Sequence, residues 1–181
     1  MQEQDIIQLL TQVGRDLEEY HFQEPVRLLL IGGAYMITQL HSRTATGDID
    51  AALLGRERWG DEYDLFKRIV QFELAEMGST NEGFSDDITE FLPLMGLPKS
   101  STLWLSSGKL DVYVPDAGYI LALKLLANRD KDQPDLQVLL ALKKIKRRKQ
   151  AEKLLSTNVS QDIREEYAEK IERVLSALFP R

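Results

Sequence analysis

The sequence predicts an α+β fold: a small mixed β-sheet core with helices, followed by a helical C-terminal region. Three observations carry this. Short apolar runs bounded by Gly, Pro, Ser or Asp read as strands at residues 26–31, 48–54, 102–105 and 110–114. Apolar residues at helical spacing alternate with them over 4–20 and 61–77. After Pro115 the strand signals stop and helical periodicity takes over. The expected organisation is an α+β core over residues 1–115 and a helical region over 116–181 packed on it.

Each element has its own signal. Ile6, Leu9, Leu10, Val13, Leu17 and Tyr20 recur at helical spacing and make a first amphipathic helix. Residues 21–25 connect it to Val-Arg-Leu-Leu-Leu-Ile, a buried strand that runs into Gly32-Gly33. Residues 34–40 suit a short helix, and 48–54 a second strand led in by Thr46 and Gly47. Tyr63, Phe66, Val70, Leu74 and Met77 mark the helix over 61–77. Residues 78–99 mix Gly, Pro and Ser with acids and read as a long irregular connection with one or two short helical turns. The segments 102–105 and 110–114 form a hairpin around Ser106-Ser107-Gly108-Lys109. Asp116 caps a helix over 117–128, and a second follows over 133–146. The last helix, 160–178, carries Ile163, Tyr167, Ile171, Val174 and Leu178 on one stripe.

Composition narrows the function. Apolar residues make up 43% of the 181, enough for a real core. The balance of 23 Lys+Arg against 29 Asp+Glu gives a net charge of −6, so any nucleic-acid contact must be local. With no Cys, disulfides, thiolate zinc sites and thiol catalysis are excluded. His21 and His41 are the only histidines, which argues against a multi-His metal site. The longest apolar stretch, 117–127, is interrupted by Lys124 and is too short to span a bilayer. The first residues lack the basic start and apolar middle of a signal peptide. The expectation is a cytoplasmic protein with no membrane partner.

The informative segment is Gly32-Gly33 followed by Asp48-Ile49-Asp50. Alternating strand side chains put Asp48 and Asp50 on one face, about 6.6–6.8 Å apart at Cα. Two such carboxylates repel unless a cation lies between them, and hard oxygen ligands suit Mg²⁺ held together with substrate phosphates. Asp111 alternates with Leu110 and Val112, adding a third carboxylate on another strand. Three acids on neighbouring strands could hold two metal ions about 3.5–4 Å apart for in-line phosphoryl chemistry. The same alternation is also what a half-exposed antiparallel strand shows. The Gly-Gly pair is either a simple strand-to-helix turn or a place where phosphate oxygens approach the backbone.

Together these motifs resemble the nucleotidyltransferase fold of the DNA polymerase β superfamily: a Gly-Gly turn after a strand, an acid-x-acid strand, then a third acid. The string Ile31-Gly32-Gly33-Ala34, with Arg43-Thr44-Ala45-Thr46-Gly47-Asp48-Ile49-Asp50, resembles the AbiEii-type abortive-infection toxin-like branch. Arg43 matches that branch's pattern, and either Thr44 or Thr46 takes the threonine position. Lys124, Arg129, Lys131-Asp132 and Asp135-Leu136 resemble its helical Lys and Lys-Asp-x-x-Asp-Leu motifs. The resemblance spans residues 26–136. It implies an enzyme that moves a nucleoside monophosphate from a nucleoside triphosphate, with Mg²⁺ or Mn²⁺ as cofactor. It further implies metal binding and catalysis by Asp48, Asp50 and Asp111, and nucleotide binding by Gly32, Gly33, Arg43, Thr44, Lys124, Arg129 and Asp132. Acceptors in the superfamily include RNA, transfer RNA among it, proteins and small molecules. The toxin branch is usually partnered by a cognate antitoxin.

Lys124 stands out independently, as the one charge in a helix apolar nearly all round. It would reach a phosphate, pair with an Asp of the acidic face, or pack its stem while its amine reaches water. Asp132 and Asp135 also suit a helix N-terminus, and Arg129 could pair with Asp130 or Asp132. The run Lys143-Lys144-Ile145-Lys146-Arg147-Arg148-Lys149 reads as a solvated helix end or a local RNA contact. His41 precedes the acidic strand and reads as a surface-loop residue. Trp59, Trp104, Tyr113 and Tyr119 read as packing residues, with Tyr113 on the face of Asp111. The alternative to an enzyme is a degenerate scaffold that binds a nucleotide or a partner without turnover. A third reading is a toxin–antitoxin module whose helical C-terminus binds a partner.

Overall fold

The central strand is the most apolar one. Val26–Leu30 (β1) pairs antiparallel with Ile49–Leu53 (β2) and parallel with Leu110–Pro115 (β5). Phe84–Ser85 (β3) adds parallel to β2, and Ser101–Ser107 (β4) forms a hairpin with β5. The order is β3-β2-β1-β5-β4, a mixed five-stranded sheet. The computed structural model describes residues 1–55, 59–79 and 83–180.

The chain divides into two compact units, residues 1–89 with 101–114 and residues 90–100 with 115–181. In the first, Glu3–Glu19 (α1) and Asp61–Glu76 (α3) pack against each other. Their apolar stripes, Ile6, Leu9, Leu10, Val13 and Leu17 with Phe66, Ile69, Val70 and Leu74, meet one sheet face made by Val26, Leu28, Leu30, Ile49, Ala51, Leu110 and Val112. The opposite face carries Leu29, Ala52 and Ile31, also buried, together with Asp50 and Asp111. A short helix, Gly32–Thr38 (α2), starts directly from the end of β1. The expected helix start at residue 34 is thus two residues late, because Gly32 at φ +62° is already the turn into the helix.

The connection over 78–99 is less irregular than its composition suggests. It contains β3 and Ile88–Met95 (α4), while residues 80–82 lie outside the described residues. Asp86, at the end of β3, is buried and accepts hydrogen bonds from Tyr63 (2.8 Å) and Lys67 (2.5 Å).

The second unit is built around Ala117–Ala127 (α5), with Asp116 capping it through a 2.6 Å bond from the Gly118 N–H. The helix is apolar nearly all round and is accordingly buried. It packs on Gln133–Leu142 (α6), Arg148–Asn158 (α7) and Ala168–Leu178 (α9). The Tyr119 hydroxyl donates to the Gly96 carbonyl, and burial pushes it well above the usual tyrosine range. Two expectations are corrected here. Helix α6 ends four residues early, because Lys144 turns left-handed at φ +54°; the basic run is therefore a connection plus the first turn of α7. The stripe over 160–178 is broken at Tyr167 into Gln161–Glu166 (α8) and α9.

One close approach decides how the hairpin sits. Gly14, mid-way along α1, is buried, and a methyl there would lie 2.2 Å from the Ser107 carbonyl oxygen. Lys109 donates to the Gly14 carbonyl (2.9 Å), and Ser107 Oγ to that of Thr11 (3.0 Å). Helix propensity alone favours Ala over Gly by about 1 kcal/mol. Steric conflict with backbone reverses the sign, so Gly14→Ala lowers unfolding stability by about 1–3 kcal/mol in urea titrations. A more stable variant would contradict the close approach.

Candidate functional site

The Gly-Gly turn gathers side chains from the loop and strand that follow it. The Ile31 N–H donates to the Asp50 carbonyl (3.0 Å), continuing the β1–β2 register so that Asp50 sits beside the turn. A methyl on Gly32 would lie 2.0 Å from Asp50 Oδ2. One on Gly33 would lie 2.3 Å from Thr46 Oγ1 and 3.7 Å from Arg43 Nη1. Both glycines are therefore required by contact, and Gly32 also by its positive φ. Of the two threonines, Thr46 lies at the turn, while Thr44 is exposed. The main-chain N–H groups that open a helix have no acceptor within it, so this turn presents donors as well as a carboxylate and a guanidinium.

The loop leading to Asp48 is braced from α1. The Met1 amino group donates to the Thr46 carbonyl (2.5 Å), and the Thr46 N–H to the Met1 carbonyl (2.9 Å). Glu3 lies 3.5 Å from His41 Nδ1. Thus His41 is an exposed loop residue tied to α1. Asp48 precedes β2 by one residue and Asp50 lies within it, both partly exposed. On β3, Ser85 pairs with Asp50 and brings a hydroxyl-bearing residue level with it. No sequence signal pointed to Ser85, because a two-residue strand exists only through its pairing.

Asp111 is placed differently from the sequence expectation. It shares the sheet face of Asp50, but it pairs with Arg27 at the start of β1, whereas Asp50 lies opposite Ile31 beyond its end. Four residues along the strand and two strands across separate their Cα atoms by roughly 16 Å. Asp111 instead accepts a hydrogen bond from Ser106 Oγ (2.7 Å) across the hairpin. Among the described residues, no group of three or more His, Asp or Glu side chains is arranged to hold a metal ion. Asp50 offers a hard oxygen donor next to the turn and Asp48 stands two residues before it, a donor set that suits one Mg²⁺ completed by phosphate oxygens and water. A three-carboxylate site including Asp111 does not fit.

Lys124, Arg129 and Asp132 come together within the second unit. Lys124 is 4% exposed, and its Nζ lies 2.7 Å from Asp132 Oδ1 and 2.6 Å from Asp135 Oδ2. Arg129 Nε lies 2.7 Å from Asp132 Oδ2. The lysine is therefore neither a water-reaching stem nor a partner of the acidic strand; α5 and α6 are cross-linked by it. Burial alone would raise the Asp132 carboxyl, but hydrogen bonds and charge from Arg129 and Lys124 outweigh burial and hold it below the usual range. Asp135 begins α6, and its sequence role as a helix-start acid coincides with this pairing.

Comparison of the chain with models of known protein families, with curated proteins and with solved structures finds no match in any of the three. Among the described residues, no helix is long and apolar enough to cross a membrane.

Removing one partner of a buried ion cluster strands the rest. Lys124→Met leaves Asp132 and Asp135 buried without their shared cation and costs about 3–5 kcal/mol of unfolding stability. Because the folded Asp132 carboxyl lies below its unfolded value, its contribution is complete above the unfolded pKa and is lost as pH falls through the folded one. Wild-type stability followed by denaturant titration should therefore drop on acidification below about pH 4, and Asp132→Asn should flatten that part of the profile.

Proposed function

We propose that the first unit binds a nucleoside triphosphate with Mg²⁺ and transfers its nucleoside monophosphate to an acceptor hydroxyl. The observation that carries this reading is the convergence of Arg43, Thr46 and Asp50 on the Gly32-Gly33 turn, with Asp48 two residues before Asp50. In this reading the turn's main-chain N–H groups and Arg43 hold phosphate oxygens, and Thr46 orients them. Asp48 and Asp50 would hold the cation, which would supply charge neutralisation at the phosphates; the acceptor oxygen bonds to the α-phosphorus, its proton passes to solvent and pyrophosphate departs. RNA, protein and small-molecule hydroxyls are all chemically competent acceptors.

A second reading is favoured by one specific observation, the distance of Asp111 from this group. Without a third carboxylate nearby, activation of an acceptor hydroxyl has no assigned base. The scaffold would then bind nucleotide without turnover.

The test separates the two. Each of the four ribonucleoside triphosphates is titrated into wild type, Asp48→Asn/Asp50→Asn and Asp111→Asn, with and without Mg²⁺. Wild type and Asp111→Asn should bind one or more triphosphates in a Mg²⁺-dependent way, and the double variant about 10–100-fold more weakly. Wild type is then incubated with α-labelled triphosphate and candidate acceptors. Label transfer supports the enzyme, and binding without transfer supports the second reading. No binding by folded wild type would remove both.

A further inference from the structure

Helices α1 and α3 border a cavity of about 700 Å³. Its lining includes three carboxyl residues, Asp16 and Glu19 from α1 and Glu73 from α3. Glu73 is 8% exposed, yet its hydrogen-bonding neighbour is another carboxyl, Asp16. Among the described residues, no Lys, Arg or His forms an ion pair with either of them. The contrast with Asp86 is informative. That carboxyl, also buried in the same unit, receives Lys67 and Tyr63. The fold thus supplies a cation to one buried acid and leaves the other facing a cavity.

The rest of the lining is Gln12, whose Nε2 donates to Asp16 Oδ1 (3.0 Å), Arg68, and four apolar or aromatic residues. Leu65 and Ile69 form its wall, and Tyr20 and Phe72 are each 60% exposed beside it. A carboxyl pair short of a cation, next to two accessible rings, has the chemistry of an amine receptor. An ammonium group has three donors and no acceptor, which matches acceptor-only carboxylates. Aromatic faces attract the same cation and pack its apolar body. Arg68, which also lines the cavity, disfavours a second positive charge on the ligand.

We propose that the α1–α3 cavity binds a small organic monoammonium ion, with its charged head between Asp16 and Glu73 and its apolar body along Phe72 and Tyr20. This site is separate from the Gly-Gly turn and does not depend on its function. Burial, then the Asp16 hydrogen bond and charge, then Glu76, push the Glu73 pKa up to about 7. The other charges on the two helices near it are Glu19 and Arg68. A bound cation opposes those effects, so binding strengthens as pH rises through neutrality and releases a proton below it.

The experiment is calorimetric titration of phenethylamine into the full chain, with phenylethyl alcohol as the neutral control. Near pH 8, wild type should bind the amine saturably and the alcohol at least about tenfold more weakly. Glu73→Gln and Asp16→Asn should each weaken the amine about tenfold or more, as should lowering the pH of wild type to about 5.5. Glu73→Gln keeps the side-chain shape and removes repulsion, so its thermal midpoint near pH 8 should equal or exceed that of wild type. No saturable heat with wild type, equal binding of the alcohol, or undiminished amine binding by a folded Glu73→Gln would each overturn the proposal.

Discussion

Between Gly32 and the Asp50 carboxyl there is no room for a methyl group, and that contact dictates the chain path on both sides of it. For Asp50 to sit there, β1 must hand over to α2 within one residue, through a φ of +62° that favours glycine. For Gly33 to pass Thr46, the loop over 39–48 must fold back over the turn, where α1 then braces it. Donors from the main chain, a guanidinium and the Asp50 carboxyl are brought to one end of β1 as a consequence. The apolar sheet and its helices supply the rigid frame behind them.

Among the described residues, buried charge is not handled in one way only, and the differences separate support from function. Around Lys124, two buried carboxylates are satisfied by the buried lysine and by the half-exposed Arg129. Around Asp86, one lysine and one phenol do the same on a smaller scale. Such clusters are costly to break and have little left over for a ligand. Glu73 beside Asp16 is a pair of carboxyl residues instead. Such a pair raises the energy of the isolated protein and is relieved by a cation, which is why this one is read as a ligand site.

Much of the frame was legible in the sequence because burial and periodicity coincide there. The stripes of α1 and α3 and the apolar runs of β1 and β5 are of this kind. The Asp116 cap was legible because an N-cap is a local interaction. What failed depends on distant parts of the chain. The two residues of β3 form a strand only because β2 lies alongside, and the break at Tyr167 is hidden by a stripe that continues across it. Helix α7 is signalled by only Ala151, Leu154 and Leu155 after a basic run. At the candidate site, alternation gave the correct face for Asp111 but not its height, since the parallel β1–β5 register is set by chain segments far apart in sequence. Likewise, spacing left Thr44 and Thr46 equivalent until the loop's fold put Thr46 over Gly33.

The most direct test of the central claim, that the Gly-Gly turn and the acid-x-acid strand together form a phosphate and cation site, is a crystal structure with Mn²⁺ and a non-hydrolysable nucleoside triphosphate. Anomalous scattering locates the metal without reference to the ligand. The account predicts a Mn²⁺ peak between Asp48 and Asp50, phosphate oxygens against Gly32-Gly33 and Arg43, and no metal at Asp111. Metal bound at Asp111, or a triphosphate seated away from the turn, would contradict it.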